Sequence, residues 1–157
     1  MVRKPELLAP AGDLNRLRYA LAYGADAVYA GQPAFSLRAR ENGFRSLDDI
    51  AEGIAICREQ GKKFYLTSNV IARNGKVEPF CKTLLEAAAL GPDAVIVADP
   101  GVVGFLRKEI PEMEVHLSVQ ANTTNWLTAA FWADLGVKRI ILSRELSLKE
   151  VLEIQER

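Results

Sequence analysis

The chain has 157 residues, and its 20 Lys+Arg balance 20 Asp+Glu, so the formal net charge is zero. Hydrophobic residues make up 49%, enough apolar material to offset the entropy of ordering, which excludes a disordered protein. The charge balance argues against a strongly cationic nucleic-acid binder, and no apolar run approaches the roughly 20 residues of a membrane span.

The first ten residues, Met1 to Pro10, lack the apolar stretch and cleavage site of a secretion signal, so a cytoplasmic location without membrane contact is expected. A first strand is predicted near 6–9, carrying Glu6 opposite Leu7 and Ala9. Asp13 then serves as N-cap of a helix with Leu14, Leu17 and Leu21 on one face, closed by Gly24. A second strand is predicted near 26–30. The segment Gln32 to Arg45 that follows is longer than the usual connection of a strand to a helix. Ser46-Leu-Asp-Asp49 resembles a capping box and opens a helix with Ile50, Ile54 and Cys57 at i, i+4 and i+7.

Strands near 63–68 and 94–98 flank a third helix with the stripe Phe80, Leu84, Ala87 and Ala88. Val103, Leu106 and Ile110 mark the fourth helix. In the fifth strand, near 114–120, Val115, Leu117 and Val119 alternate with His116, Ser118 and Gln120. Leu127, Ala130, Phe131 and Leu135 give a fifth helix its predicted core face. A strand near 138–143 and a sixth helix follow, capped by Ser147 and carrying Leu148, Val151 and Leu152. Gly24, Gly91 and Gly136 each precede a strand, where a helix would end in the left-handed conformation.

Strict alternation of strand and helix predicts an α/β fold with parallel pairing. An open doubly wound sheet needs central strands apolar on both faces, and the polar side of the fifth strand disagrees. No GxGxxG or Walker A loop follows any strand. The reading is therefore a partial (β/α)8 TIM-type barrel of about six βα units. Such a barrel takes about 250 residues, so 1–157 is expected to be the N-terminal portion of a longer protein.

In a barrel the reactive groups sit at the C-terminal ends of the strands and in the loops beyond them. Those positions make Tyr29, Asn69, Asp99, Gln120, Asn122, Arg144 and Glu145 the candidate ligand-binding residues. Asp99 precedes Pro100-Gly101 and equally suits a helix cap. Gln120 and Asn122, two apart on a strand, would project to one side and orient a planar polar group. Arg38 and Arg40 join the set from the long loop, where Arg45, Phe35 and Phe44 are interleaved. Arginine with aromatics suits a phosphate with base stacking, or a small carboxylate metabolite; alternatively the phenylalanines tuck beneath the loop. His116 lies low in its strand, the position of a hydrogen-bonded core histidine. No serine nucleophile motif is present, the histidine has no candidate partner nucleophile, and no metal ligand spacing occurs, so no catalytic residue is assigned. Cys57 and Cys81 fall on helices as small packing groups.

The strings Pro5-Glu-Leu-Leu-Ala-Pro-Ala-Gly12, Tyr23-Gly-Ala-Asp-Ala-Val-Tyr-Ala-Gly-Gln-Pro33, Ser36-Leu-Arg-Ala-Arg40, His116-Leu-Ser-Val-Gln-Ala-Asn122 and Ile141-Leu-Ser-Arg-Glu-Leu-Ser147 carry a resemblance. Together they resemble the N-terminal region of the collagenase-like peptidase family U32, and within it the bacterial transfer-RNA hydroxylation branch. The resemblance implies a barrel domain followed by further C-terminal parts, formation of 5-hydroxyuridine at the wobble position of transfer RNA, and prephenate as a required metabolite. It also implies, for some members, an iron–sulfur cluster held by cysteines beyond Arg157, and none within this chain. Two other readings follow: a collagenase-like peptidase, and a non-catalytic binding fragment.

Overall fold

In the computed structural model, which describes residues 4–37 and 42–157, strands and helices alternate throughout. The elements are β1 (Leu8–Pro10), α1 (Leu14–Ala22), β2 (Ala27–Gly31), α2 (Leu47–Glu59), β3 (Lys63–Thr67), α3 (Asn74–Ala88), β4 (Ala94–Val97), α4 (Pro100–Glu109), β5 (Val115–Leu117), α5 (Trp126–Asp134), β6 (Arg139–Ile140) and α6 (Leu148–Glu156). All neighbouring strands pair in parallel, in the order β1-β2-β3-β4-β5-β6. A doubly wound sheet reverses its strand order once, at a switch point, and this one never does. It is one arc of a TIM-type barrel.

Side chains separate cleanly across the sheet. One face presents Val28, Phe64, Leu66, Val95, Val97, Val115 and Leu117 to a core shared with the helices. The other face carries Ala27, Tyr65, Ala94 and Ile96, packed against Leu8, Tyr29 and Ile141, which all come from strands or their ends. No helix residue joins that second cluster, as expected for a lumen.

The curl is fixed by one pair. Arg139 of β6 donates from Nη1 to Glu6 Oε1 at 2.5 Å, just ahead of β1. In a flat sheet these two edges would stand about 24 Å apart, at roughly 4.8 Å per strand. Only a sheet rolled toward closure brings them together.

Local chemistry explains the boundaries. Asp13 caps α1 by accepting from Arg16 N at 2.7 Å, and Ser46 with Asp49 forms the capping box of α2. Gly24 and Gly91 take φ of 94° and 78°, the left-handed region that ends a helix without a Cβ penalty.

Three expectations are corrected. β5 stops at Leu117 instead of continuing to 120, because the Ser118 hydroxyl accepts from Gln120 N and turns Val119–Ala121 into a 3-10 segment. In α5 the face Leu127, Ala130, Phe131 and Leu135 is exposed, and Trp132 is the residue buried. Leu148 and Leu152 of α6 are exposed as well. No helix among the described residues is long and apolar enough to cross a membrane.

Candidate functional site

Parallel pairing places the C-terminal ends of all six strands on one rim, where backbone polarity and loops converge. A cleft of about 430 Å³ opens there. Gly12 and Arg16 border it beyond β1, Gly31 and Ser36 beyond β2, and Thr67 at the end of β3. Ser118, between β5 and its 3-10 segment, completes the opposite wall.

Of the residues expected at a ligand site, Tyr29, Asn69, Gln120 and Arg144 line this cleft. Arg38 and Arg40 lie outside the described residues. The other three sit elsewhere. Asp99 caps α4, its carboxylate accepting from Gly101 N at 2.8 Å. Asn122 takes left-handed geometry (φ 51°) at the end of the 3-10 segment and is exposed, so it does not project alongside Gln120. Glu145 is exposed in the turn before α6.

Asn69 does structural work in the wall. Its Oδ1 accepts from Leu37 N at 3.3 Å and its Nδ2 donates to Ser118 Oγ at 3.2 Å, tying the long loop to the end of β5. The loop is pinned at three further points. Gln32 is buried, with Nε2 donating to Thr83 Oγ1 at 3.1 Å and Oε1 accepting from Ser68 Oγ. Phe35 packs on Phe80 with centroids 5.0 Å apart, and Phe44 meets Phe64 edge-on at 6.1 Å. These rings belong to the core beneath the loop and offer no stacking platform for a base. Arg45 is exposed, its backbone N–H donating to Asp49 Oδ2 at 2.7 Å.

The charged residues lining the cleft, among those described, are Arg16 and Arg144. No carboxylate lines the cleft among the described residues, although Asp13 beside it pairs with Arg16 at 3.5 Å, so the lining carries positive charge suited to an anion. Arg16 escaped the sequence reasoning because it lies inside α1 as an ordinary surface position. A glycine two residues before the first helical residue, followed at i+4 by arginine, was the available signal.

The opposite end of the lumen holds a second polar cluster. Tyr65 donates its hydroxyl to Glu6 Oε2 at 2.9 Å, and the Arg139 guanidinium lies 5.3 Å from the Tyr65 ring centroid. His116, laterally paired with Ile96 and Arg139, packs edge-on to Tyr65 and bonds Glu114 Oε1 through Nε2 at 2.8 Å. Burial raises the Glu6 pKa, but the hydrogen bonds from Arg139 and Tyr65 and the charge of Arg139 outweigh it and hold the carboxyl below its ordinary value. Burial lowers the His116 pKa despite the opposing bond to Glu114, so the ring stays neutral. These groups lie below the rim, and none of them is among the residues that border the cleft.

Cys57 of α2 is buried, and burial pushes its thiol up to about 11; Cys81 of α3 is half-buried and raised by the same cause. A cluster needs several thiolates converging on one point. These two protonated thiols on separate helices do not fit one, and no group of three metal-binding side chains occurs among the described residues.

Comparison with known proteins adds the following. Residues 12–157 match Peptidase family U32. The tRNA hydroxylation protein P of Escherichia coli is 52% identical over 97% of this chain, which spans 33% of that protein's length. The 23S rRNA 5-hydroxycytidine C2501 synthase of Escherichia coli is 38% identical over 96% of the chain, which spans 22% of it. The solved structure of the U32 peptidase Mk0906 superposes on 100% of the chain and 68% of its own, with a TM-score of 0.79 at 18% identity, a likeness that shows the fold alone.

Proposed function

The chain belongs to peptidase family U32, and from that premise we propose that it is the cleft-bearing N-terminal part of a protein that hydroxylates the wobble uridine of transfer RNA. In this reading the cleft holds a small carboxylate metabolite, prephenate, beside the nucleotide to be modified. The observation that carries it is the cleft itself: its charged lining residues, among those described, are two arginines, with hydroxyl and amide side chains set in an otherwise largely apolar lining. Arginine forks bind planar carboxylates in bidentate fashion. The relatives support the RNA half of the reading, since several of them are named for tRNA hydroxylation.

Hydrolysis of peptides finds less support in these residues. Ser118 Oγ is engaged by Asn69 and by Gln120 N, and the one histidine of the chain lies at the barrel floor. A serine without a base within reach is a weak nucleophile. Any iron–sulfur cluster would have to come from cysteines outside this chain.

The test is mass spectrometry of transfer RNA from cells lacking the gene and any redundant pathway. Loss of wobble 5-hydroxyuridine, restored by the full-length protein, is the expected result. Unchanged 5-hydroxyuridine would refute the reading.

A further inference from the structure

At the rim two positions without side chains, Gly12 beyond β1 and Gly31 at the end of β2, both border the cleft. The long loop staples them from above: Gly43 N donates to the Gly12 carbonyl at 2.7 Å and Asn42 Nδ2 to the Gly31 carbonyl at 2.6 Å. Each vacancy is occupied by a polar group from elsewhere. A Cβ on Gly12 would meet Arg16 Nη1 at 2.6 Å, and one on Gly31 would meet Ser36 Oγ at 2.4 Å. Thr67 follows in the same row, paired with Gly31 across the sheet.

The polar atoms of this row are unspent. Ser36 Oγ and Thr67 Oγ1 are buried and have no hydrogen-bond partner among the described residues. A buried hydroxyl without a partner costs roughly 1–3 kcal/mol, so a cleft that keeps two in its lining has a use for them. Arg16 Nε is held 3.5 Å from Asp13 Oδ2, which leaves its terminal nitrogens over Gly12 at the cleft.

We propose that Arg16, Ser36 and Thr67 form an oxyanion subsite for a terminal carboxylate of the ligand, with Gly12 and Gly31 keeping the seats open. The guanidinium supplies the counter-charge and the two hydroxyls donate to the carboxylate oxygens. Gly12 thereby determines specificity: any side chain there displaces the arginine. This inference rests on the reading of the cleft as a metabolite site and names the atoms that bind.

Calorimetric titration of the chain with prephenate, and separately with inorganic phosphate, tests it. Arg16→Gln and Gly12→Ala are expected to weaken prephenate binding roughly ten- to hundredfold, the value of a charged hydrogen bond. Arg18→Gln, which removes the same charge from the same helix where it pairs with Glu52, should leave it unchanged. The pair Ser36→Ala and Thr67→Val should weaken binding without lowering the melting temperature, because the hydroxyls lose no partner. Equal binding by these variants and the parent chain overturns the subsite alone. Arginine-dependent binding of phosphate but not prephenate overturns the carboxylate assignment. Failure of the parent chain to bind prephenate removes the metabolite reading and the subsite with it.

Discussion

Phe44→Ala is expected to lower the free energy of unfolding by about 3–5 kcal/mol, the usual cost of emptying a buried aromatic site. Phe44 is 1% exposed, although it sits in a loop flanked by Gly43 and Arg45. Its ring meets Phe64 of β3 edge-on, and Gly53 of α2 makes room for both: a Cβ there would lie 2.9 Å from Phe64 and 3.1 Å from Phe44. The loop whose Ser36, Leu37 and Asn42 border the cleft is therefore anchored in the same core that holds α1 and α2 to the sheet. Urea unfolding measures this directly, with a shifted midpoint at unchanged slope. A loss under about 1 kcal/mol, accompanied by weaker RNA binding, would instead make Phe44 a stacking surface.

The second large effect concerns the barrel floor. Arg139→Leu leaves Glu6 partly buried without its cation. Removing one member of a fully buried pair costs about 3–5 kcal/mol. Here the side chains of Arg139 and Glu6 are 36% and 24% exposed, so water screens part of the loss and about 1–3 kcal/mol is expected. The pair also binds the two edges of the curl, so the variant should exchange its β1 and β6 amides faster. Acid reports the same cluster in two stages. The neutral form of His116 is favoured in the fold, so its stabilisation is complete above the unfolded value of roughly 6.5 and erodes as pH falls below it. Glu6 is held below its ordinary value, so its stabilisation is complete above roughly 4.3 and is lost as pH falls through the folded value. His116→Gln should abolish the upper stage and Glu6→Gln the lower. A single unaltered acid transition in both variants would contradict the assignment.

Much of this fold is legible in the sequence because its punctuation is local. Asp13, Ser46 and Ser147 each cap the helix they precede, through hydrogen bonds spanning three residues. The stripe Phe80, Leu84, Ala87 and Ala88 is buried in full, since α3 has polar residues on its other side. α5 offered no such contrast. Its sequence, Trp126-Leu-Thr-Ala-Ala-Phe-Trp-Ala-Asp134, is apolar around most of its circumference, so two faces fit the helical period equally well. Packing selects the one containing Trp132. The end of β5 was hidden by a competing local bond, the Ser118 hydroxyl drawing Gln120 N out of the strand.

The candidate site divides along the same line. Residues directly beyond strand ends, such as Asn69 and Arg144, could be placed by counting. Arg16, Ser36 and Thr67 could not, because the cleft gathers them from beyond three different strands. That convergence is set by the pairing of β1, β2 and β3 and is invisible to any window along the chain. Closure of the sheet was equally remote: Glu6 and Arg139 are 133 residues apart.

The central claim is that the rim of the curled sheet, and no other surface, receives the ligand. Amide chemical-shift mapping of the labelled chain during titration with prephenate tests it most directly. Saturable shifts confined to Gly12, Gly31, Thr67, Asn69 and Gln120 are predicted, with His116 and Arg139 at the floor unmoved. Shifts centred on the floor or on the exposed face of α5, with the rim silent, would contradict it.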